Sequence, residues 1–356
     1  MTTEPPDVAR ELLTSLGSAD VYPQKLDLNA DRVLLVAVDA ETYRAASFLD
    51  DRILTPSMRG AWVSFAEVAD ASLRIAGGRP VHFIFHTGHV GSTLVSRLLD
   101  ETGLVLSLRE PLPLRTIAEV HDVLGRIDSL WSRPQFDLGV AAFMRLWARG
   151  YRDTHCVAVK ATSSTGRVAA PILAGSEISR AIYMNLRAEP YLATLLAGQN
   201  SPIDLRGHGP ERIRRLQSRF GGLPTALHAL SIGELAAMSW LAESSAQRDA
   251  LKRFGDRVIA VDFEALLANL GAEMTRILEH FAISDADRHA ARMARSASLT
   301  RYSKAPEYEY SPEVRAEILR ESRRRNRLEI RKGIDWLEAL ARSNPTVAEI
   351  VGEGGG

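Results

Sequence analysis

Residues Val81 to Asp100, VHFIFHTGHVGSTLVSRLLD, carry the clearest structural pattern in the chain. A short apolar run is followed by two histidines and two glycines and then by apolar residues at helical spacing, which predicts a strand, a tight loop and a helix. Glycines let the backbone approach an anion, and the first turn of a helix offers unpaired N–H groups and the positive end of its dipole. The segment therefore predicts a phosphate-binding loop; the alternative is that Gly88 and Gly91 serve only to turn the chain from strand to helix.

The loop differs from the nucleotide triphosphatase pattern G-x-x-x-x-G-K-[ST] at two positions. Ser92 stands in place of the lysine, and His86 stands in place of the first glycine. The lysine that bridges the β- and γ-phosphates is therefore missing, which argues against a P-loop kinase acting on a small molecule. A neutral histidine near the loop supplies less charge than a lysine at pH 7.

The ending Gly-Ser-Thr resembles the 5′-phosphosulfate loop of the sulfotransferases, in which a basic residue is followed by Ser, Gly, Thr and Thr. In this resemblance His89 occupies the basic position, which the family normally fills with Lys or Arg. The resemblance implies that the loop binds the 5′-phosphosulfate of 3′-phosphoadenosine 5′-phosphosulfate. The implied binding residues are Gly88, His89, Val90, Gly91, Ser92 and Thr93.

Length and composition narrow the class of protein. A chain of 356 residues can bury a large core, and 44 basic residues balance 44 acidic ones, so no general basic field points to nucleic acid. The single cysteine, Cys156, excludes an internal disulfide framework. No signal peptide and no long apolar run is recognised, so we expect a cytoplasmic protein without a membrane span.

Two strand ends after the loop are candidates for catalysis. The predicted strand from Leu104 to Leu108 ends at Arg109 and Glu110, in the crevice where open parallel sheets bind ligands. Glu110 is therefore a candidate general base, as a glutamate at this point is in many sulfotransferases. Alternatively, it pairs with Arg109 or Arg115 or caps the next helix. The strand from Cys156 ends at Lys160, which resembles a family lysine that would neutralise charge on the transferring group; otherwise it is a lysine extending from a strand end.

The third strand end resembles the 3′-phosphate motif of the same family. The strand from Ala181 delivers Arg187, whose planar fork matches two phosphate oxygens, and Thr194 is the nearest hydroxyl on the following helix. Near the C-terminus, Arg301 and Lys304 lie in a polar aromatic loop and are expected to close over the nucleotide. The Gly-, Pro- and Arg-rich stretch 200–222 predicts a surface insertion around a short basic helix.

Together these patterns predict a three-layer α/β/α P-loop-like fold with a mainly parallel central sheet and helical insertions. Residues 1–75 are expected to form an appendage or added layer, residues 76–345 the sulfotransferase-like domain, and residues 346–356 a disordered tail. The resemblance implies sulfuryl transfer from 3′-phosphoadenosine 5′-phosphosulfate to a hydroxyl or amine of a small-molecule or glycan acceptor, without a metal. Glu110 would be the base, and Lys160 or His89 would offset charge. A small-molecule kinase and a non-catalytic nucleotide-binding protein of the same fold remain alternatives.

Overall fold

A computed structural model describes residues 6–221, 226–304, 307 and 309–353. The strands are β1 (Val21–Asp27), β2 (Arg32–Ala37), β3 (Gly60–Ser64), β4 (Val81–His86), β5 (Val105–Arg109), β6 (Cys156–Lys160), β7 (Ala181–Asn185) and β8 (Val258–Asp262). The helices are α1 (Pro6–Thr14), α2 (Ala40–Ala45), α3 (Phe65–Ser72), α4 (Ser92–Asp100), α5 (Leu112–Val123), α6 (Arg133–Trp147), α7 (Ala169–Ala174), α8 (Ala188–Ala197), α9 (Ser201–Phe220), α10 (Ile232–Phe254), α11 (Phe263–Ala268), α12 (Leu270–His280), α13 (Ala286–Met293), α14 (Pro312–Arg325), α15 (Arg327–Ser343) and α16 (Pro345–Glu353).

The central sheet has five parallel strands in the order β5-β6-β4-β7-β8. Along β4, Phe83 and Phe85 belong to the core on one face of the sheet and Ile84 to the core on the other, as the alternation of side chains in a strand requires. Helices cover both faces because both are apolar. The predicted three-layer α/β fold is confirmed.

Strand β4 sits where the strand order reverses. The chain leaves β4 for β5 and β6 on one side, and then crosses to β7 and β8 on the other. In open parallel sheets, ligands bind in the crevice at the carboxyl ends of the strands at such a switch point. The loop that follows β4 therefore lies at the position in the fold best suited to a ligand.

Strands β1 to β3 form a separate antiparallel sheet, packed on the same core as one face of the central sheet. Two buried arginines tie this N-terminal layer down through backbone carbonyls. Arg149 donates to the carbonyls of Leu16 and Ser18 at 2.7 and 2.9 Å, and Arg109 donates to those of Tyr43 and Ala46 at 2.8 and 2.9 Å. The boundary expected at residue 75 stays a prediction.

Two helices differ from the sequence expectation: α9 is longer than the short basic helix expected within residues 200–222, and α16 lies where a disordered tail was expected. Helix α9 runs for 20 residues with Pro210 inside it, because Leu205, Ile213 and Leu216 bury one face against the core. Helix α16 covers residues 346–353 of the expected disordered tail, and its Val347 and Ile350 are buried. Residues 354–356 lie outside the described part of the chain. No described helix is both long and apolar enough to span a bilayer.

Candidate functional site

The loop between β4 and α4 adopts a backbone suited to holding an anion. Gly88, His89 and Gly91 have φ angles of 104°, 56° and 71°, which lie in the left-handed region. No described residue accepts a hydrogen bond from a backbone N–H between Gly88 and Thr93, and no side chain caps α4. These N–H groups and the positive end of the α4 dipole are therefore available to an anion.

The side chain of Phe263 leaves room only for a glycine at position 91. A Cβ atom on Gly91 would lie 2.2 Å from Cε2 of Phe263, the first residue of α11, which is closer than atoms approach. Its φ of 71° adds a second constraint, since residues with a Cβ rarely adopt it. Gly91 thus lets α4 and α11 pack closely beside the loop, in addition to opening the backbone.

Buried polar atoms surround the loop without a partner among the described residues. They are Nδ1 of His86 and Oγ1 of Thr87 and of Thr93. Nε2 of His86 is already in contact with the carbonyl oxygen of Ala161 at 2.8 Å. Buried polar groups are normally hydrogen-bonded, so this group of unpartnered atoms indicates a place for a polar ligand or water.

Glu110 and Lys160 meet at the carboxyl ends of β5 and β6. The Lys160 ammonium donates to Oε1 of Glu110 in an ion pair, and the backbone N–H of Glu110 donates to the carbonyl of Lys160 at 2.7 Å. Lys160 is fully buried, whereas 20% of the Glu110 side-chain surface is exposed. Burial lowers the pKa of Lys160, and the charge of Glu110 opposes that effect. The carboxylate can thus face a ligand while the buried ammonium supplies charge behind it.

The alternative partners of Glu110 are occupied elsewhere. Arg109 is buried and pairs with Asp100, and Arg115 contacts Glu119 at 3.1 Å along α5. Glu110 has a φ of 56°, an unfavourable conformation for a residue with a side chain. Strain of this kind persists where the surrounding structure enforces it, commonly at functional sites.

The N-terminal layer contributes two side chains that the sequence did not point to. The ring of Phe48 lies 5.4 Å from the Lys160 ammonium, and the Arg52 guanidinium stacks on the same ring at 3.9 Å. Arg52 also interacts electrostatically with Glu110. The segment is held in place because the Leu49 N–H donates to the carbonyl of Arg109 at 2.7 Å. No local motif marks this segment, because its role depends on packing between distant parts of the chain.

A cavity of about 450 Å³ opens beside the loop. This volume is within the usual range for small-molecule sites. It is lined by the loop and the start of α4, by the end of α8 and by the C-terminal polar aromatic segment, including His89, Val90, Gly91, Ser92, Thr93, Thr194, Arg301, Tyr302 and Lys304. The structure thus brings together most of the residues predicted to bind a nucleotide.

His89 does not supply positive charge at neutral pH. Although His89 is an exposed residue, desolvation by the surrounding site, followed by the charges of Lys304 and Lys160, lowers its pKa to about 4. Lys304 is itself partly buried, which lowers its pKa, and it interacts with Glu110. The role of His89 in offsetting charge stays a prediction, and Lys160 and Lys304 are cations that interact with it in the free protein.

Arg187 stands apart from the cavity. It is exposed at the start of α8 and does not line the cavity, and its side chain makes no hydrogen bond or ion pair within the described ranges. Thr194 does line the cavity, but its hydroxyl donates to the carbonyl of Pro190 at 2.7 Å. Because β7 lies beside β4, Arg187 and the loop occupy the same edge of the sheet.

Comparison with known proteins finds similarity only among solved structures. No protein-family model and no curated protein matches the chain. The sulfotransferase from Alicyclobacillus acidocaldarius is 14% identical with a TM-score of 0.39, over 74% of this chain and 96% of that one. The sulfotransferase from Mycobacterium avium is 13% identical with a TM-score of 0.37, over 91% and 96%. A sulfotransferase domain from the curacin biosynthetic pathway is 13% identical with a TM-score of 0.37, over 65% and 84%. The likeness is one of fold and says nothing about donor or acceptor.

Proposed function

We propose that the chain is a sulfotransferase that uses 3′-phosphoadenosine 5′-phosphosulfate. An acceptor oxygen or nitrogen forms a bond to sulfur, the bond from sulfur to the 5′-phosphate oxygen breaks, and adenosine 3′,5′-bisphosphate leaves. Glu110 takes the acceptor proton, and Lys160 and Lys304 offset negative charge on the transferring group. The N–H groups and hydroxyls between Gly88 and Thr93 hold the phosphosulfate.

The observation that supports this proposal most strongly is the juxtaposition of two features at one edge of the sheet. Unpartnered loop N–H groups and the buried Thr93 hydroxyl form an anion site. Beside it stands the pair of Glu110 and Lys160, which can take a proton and stabilise charge. Positioning plus electrostatic stabilisation is what an in-line transfer requires of a protein.

The loop chemistry favours a sulfuryl over a phosphoryl donor. Ser92 occupies the place of the lysine that binds the terminal phosphates of ATP, and the cations nearby come from other segments. A 3′-phosphate would distinguish the sulfuryl donor from ATP. Arg187 is exposed without a partner among the residues described, and Arg301 and Lys304 line the cavity; these three are the candidates to bind it.

Nucleotide preference tests the proposal. We expect adenosine 3′,5′-bisphosphate to bind more tightly than AMP or ATP with Mg²⁺ in calorimetry. Replacing Arg187 with alanine should weaken bisphosphate binding by about 2–3 kcal/mol and leave AMP binding unchanged, since one charge-assisted contact is lost. Arg74→Ala, at an exposed position after α3, is the matched control and should change neither.

Tighter binding of ATP with Mg²⁺ than of the bisphosphate would overturn the sulfotransferase proposal in favour of a kinase. An unchanged affinity in Arg187→Ala, with a loss in Arg301→Ala, would move the 3′-phosphate contact to the C-terminal segment.

A further inference from the structure

A second cavity, of about 610 Å³, lies between α5, α9 and α10. Its floor is a 3-10 helix (Ser163–Val168) that follows β6. None of the residues that line it is a large apolar residue: all are charged residues, histidine, serine, glycine or alanine. Ligand sites are usually lined mainly by hydrophobic and aromatic side chains, so this cavity is suited to a different kind of molecule.

Ion pairs already neutralise most of the charge in this cavity. Arg167, on the floor, contacts Asp122 of α5 at 2.9 Å and Glu211 of α9 at 3.8 Å. Arg215 contacts Glu211 at 2.9 Å and Glu243 at 2.8 Å. A ligand need not bring a compensating charge, because cations and carboxylates are balanced against each other.

Two carboxylate oxygens of this network have no donor. Oε2 of Glu211 and Oε2 of Glu243 are buried and unpartnered among the residues that the structure describes, and the Glu243 side chain is only 1% exposed. An ionised carboxylate only accepts hydrogen bonds, so what these oxygens lack is donors such as hydroxyl groups. Carboxylates and arginines line the cavity itself, among them Asp122, Glu211 and Arg215, and a ligand with many hydroxyls supplies donors to the carboxylates and acceptors to the arginines.

Two elements that line the cavity start near the candidate reaction centre. Helix α5 begins two residues after Glu110, and the floor helix begins three residues after Lys160. Arg115 of α5 interacts electrostatically with His208 of α9, and Asp204 of α9 interacts with Lys304. Helix α5 rises about 1.5 Å per residue, so its far end at the cavity lies roughly 15 Å from Glu110.

We propose that this cavity is the outer part of the acceptor site and that the acceptor is a saccharide longer than one sugar ring. The proposal rests on the proposed function. The hydroxyl to be sulfated would lie at Glu110, while further rings extend along the floor helix and exchange hydrogen bonds with Arg167, Glu211 and Arg215. A phenol or a tyrosine side chain would find no aromatic and no large aliphatic side chain among the described residues that line this cavity.

The test measures transfer of sulfur-35 from the labelled donor. The acceptors are tetrasaccharides of maltose, chitin, hyaluronan and heparosan type, with 2-naphthol and tyrosine methyl ester as compact aromatic acceptors. We expect transfer to at least one tetrasaccharide with a kcat/KM at least tenfold above either aromatic acceptor. Ser218→Trp, at an exposed position on α9 lining the cavity, should raise the KM for that saccharide at least tenfold, and Ser218→Ala should not.

Bisphosphate affinity, measured on each variant, separates the possible failures. Preference for an aromatic acceptor, or a saccharide KM unchanged in folded Ser218→Trp, would overturn the acceptor proposal alone. Bisphosphate binding with no transfer to any tetrasaccharide would do the same. Absence of bisphosphate binding in the unmodified protein would instead remove the proposed function, and the acceptor proposal with it.

Discussion

Replacing Glu110 with glutamine tests the ion pair at the centre of the candidate site. The Lys160 side chain is fully buried and Glu110 is its ion-pair partner, so Glu110→Gln leaves an uncompensated charge inside the protein. Breaking a buried pair by removing one partner costs about 3–5 kcal/mol. Burial already lowers the pKa of Lys160, so the lysine can release its proton, which limits the loss. We expect destabilisation near the lower end of that range at pH 7.

The pH dependence identifies the cause of this loss. In Glu110→Gln the pKa of Lys160 should fall further below that of the unfolded chain. The unfolded state then binds more protons between the two pKa values, so the stability of the variant should rise with pH over that window relative to the wild type. Urea unfolding at pH 7 and pH 10 measures the change. Glu119→Gln, which removes an exposed pair on α5, should cost less than about 1 kcal/mol at either pH.

A double variant separates stability from catalysis. Glu110→Gln with Lys160→Met removes both charges and should recover most of the lost stability. It should not recover transfer, because no group then takes the acceptor proton, and a lost general base lowers kcat by roughly 10²–10⁴. Wild-type stability of Glu110→Gln at pH 7 would refute the buried pair. Wild-type turnover by that variant would place the base elsewhere, with His86 and His89 the next candidates.

Two further predictions concern the loop and a buried histidine. Gly91→Ala should destabilise the fold by about 2–4 kcal/mol, because position 91 has a positive φ and a Cβ there would clash with Phe263. Gly17→Ala, at a position with open space around it, should cost less than about 1 kcal/mol in the same urea unfolding experiment. Equal losses in the two variants would contradict the close contact. His82, whose Nδ1 accepts the Arg180 N–H at 3.1 Å, has its pKa lowered to about 4, chiefly by burial. Below about pH 6.5 the unfolded state therefore binds one proton that the folded state does not. As the pH falls toward 4, the wild type should lose up to about 1.4 kcal/mol of stability per pH unit more than His82→Gln does. Parallel curves of stability against pH would contradict a neutral buried ring.

The central sheet could be predicted from the sequence because its strands are buried on both faces. Such strands appear as short continuous apolar runs, and the run from Cys156 to Lys160 matches β6 at both ends. The full length of helix α9 could not be predicted from such a pattern. Its glycines and Pro210 have weak helical preference, and burial of Leu216 and its neighbours overrides that preference.

Some residues of the candidate site could be predicted from the sequence and others could not. Glu110 and Lys160 were predictable because residues at the carboxyl ends of neighbouring parallel strands must lie close together. Phe48 and Arg52 were not, because they come from a different sheet and reach the site only through the packing of the N-terminal layer. Contacts between segments so far apart in the chain leave no local pattern in the sequence.

Positive charge near the loop comes from residues outside the loop motif. The loop itself has no lysine, and His89, whose pKa is about 4, is neutral at pH 7. Lys160 arrives from the end of β6 and Lys304 from the C-terminal segment, and both interact electrostatically with His89. Burial lowers the pKa of each lysine, so a bound anion would stabilise their charged forms and be stabilised in return. A loop that lacks the basic residue of its motif is therefore still opposite two cations.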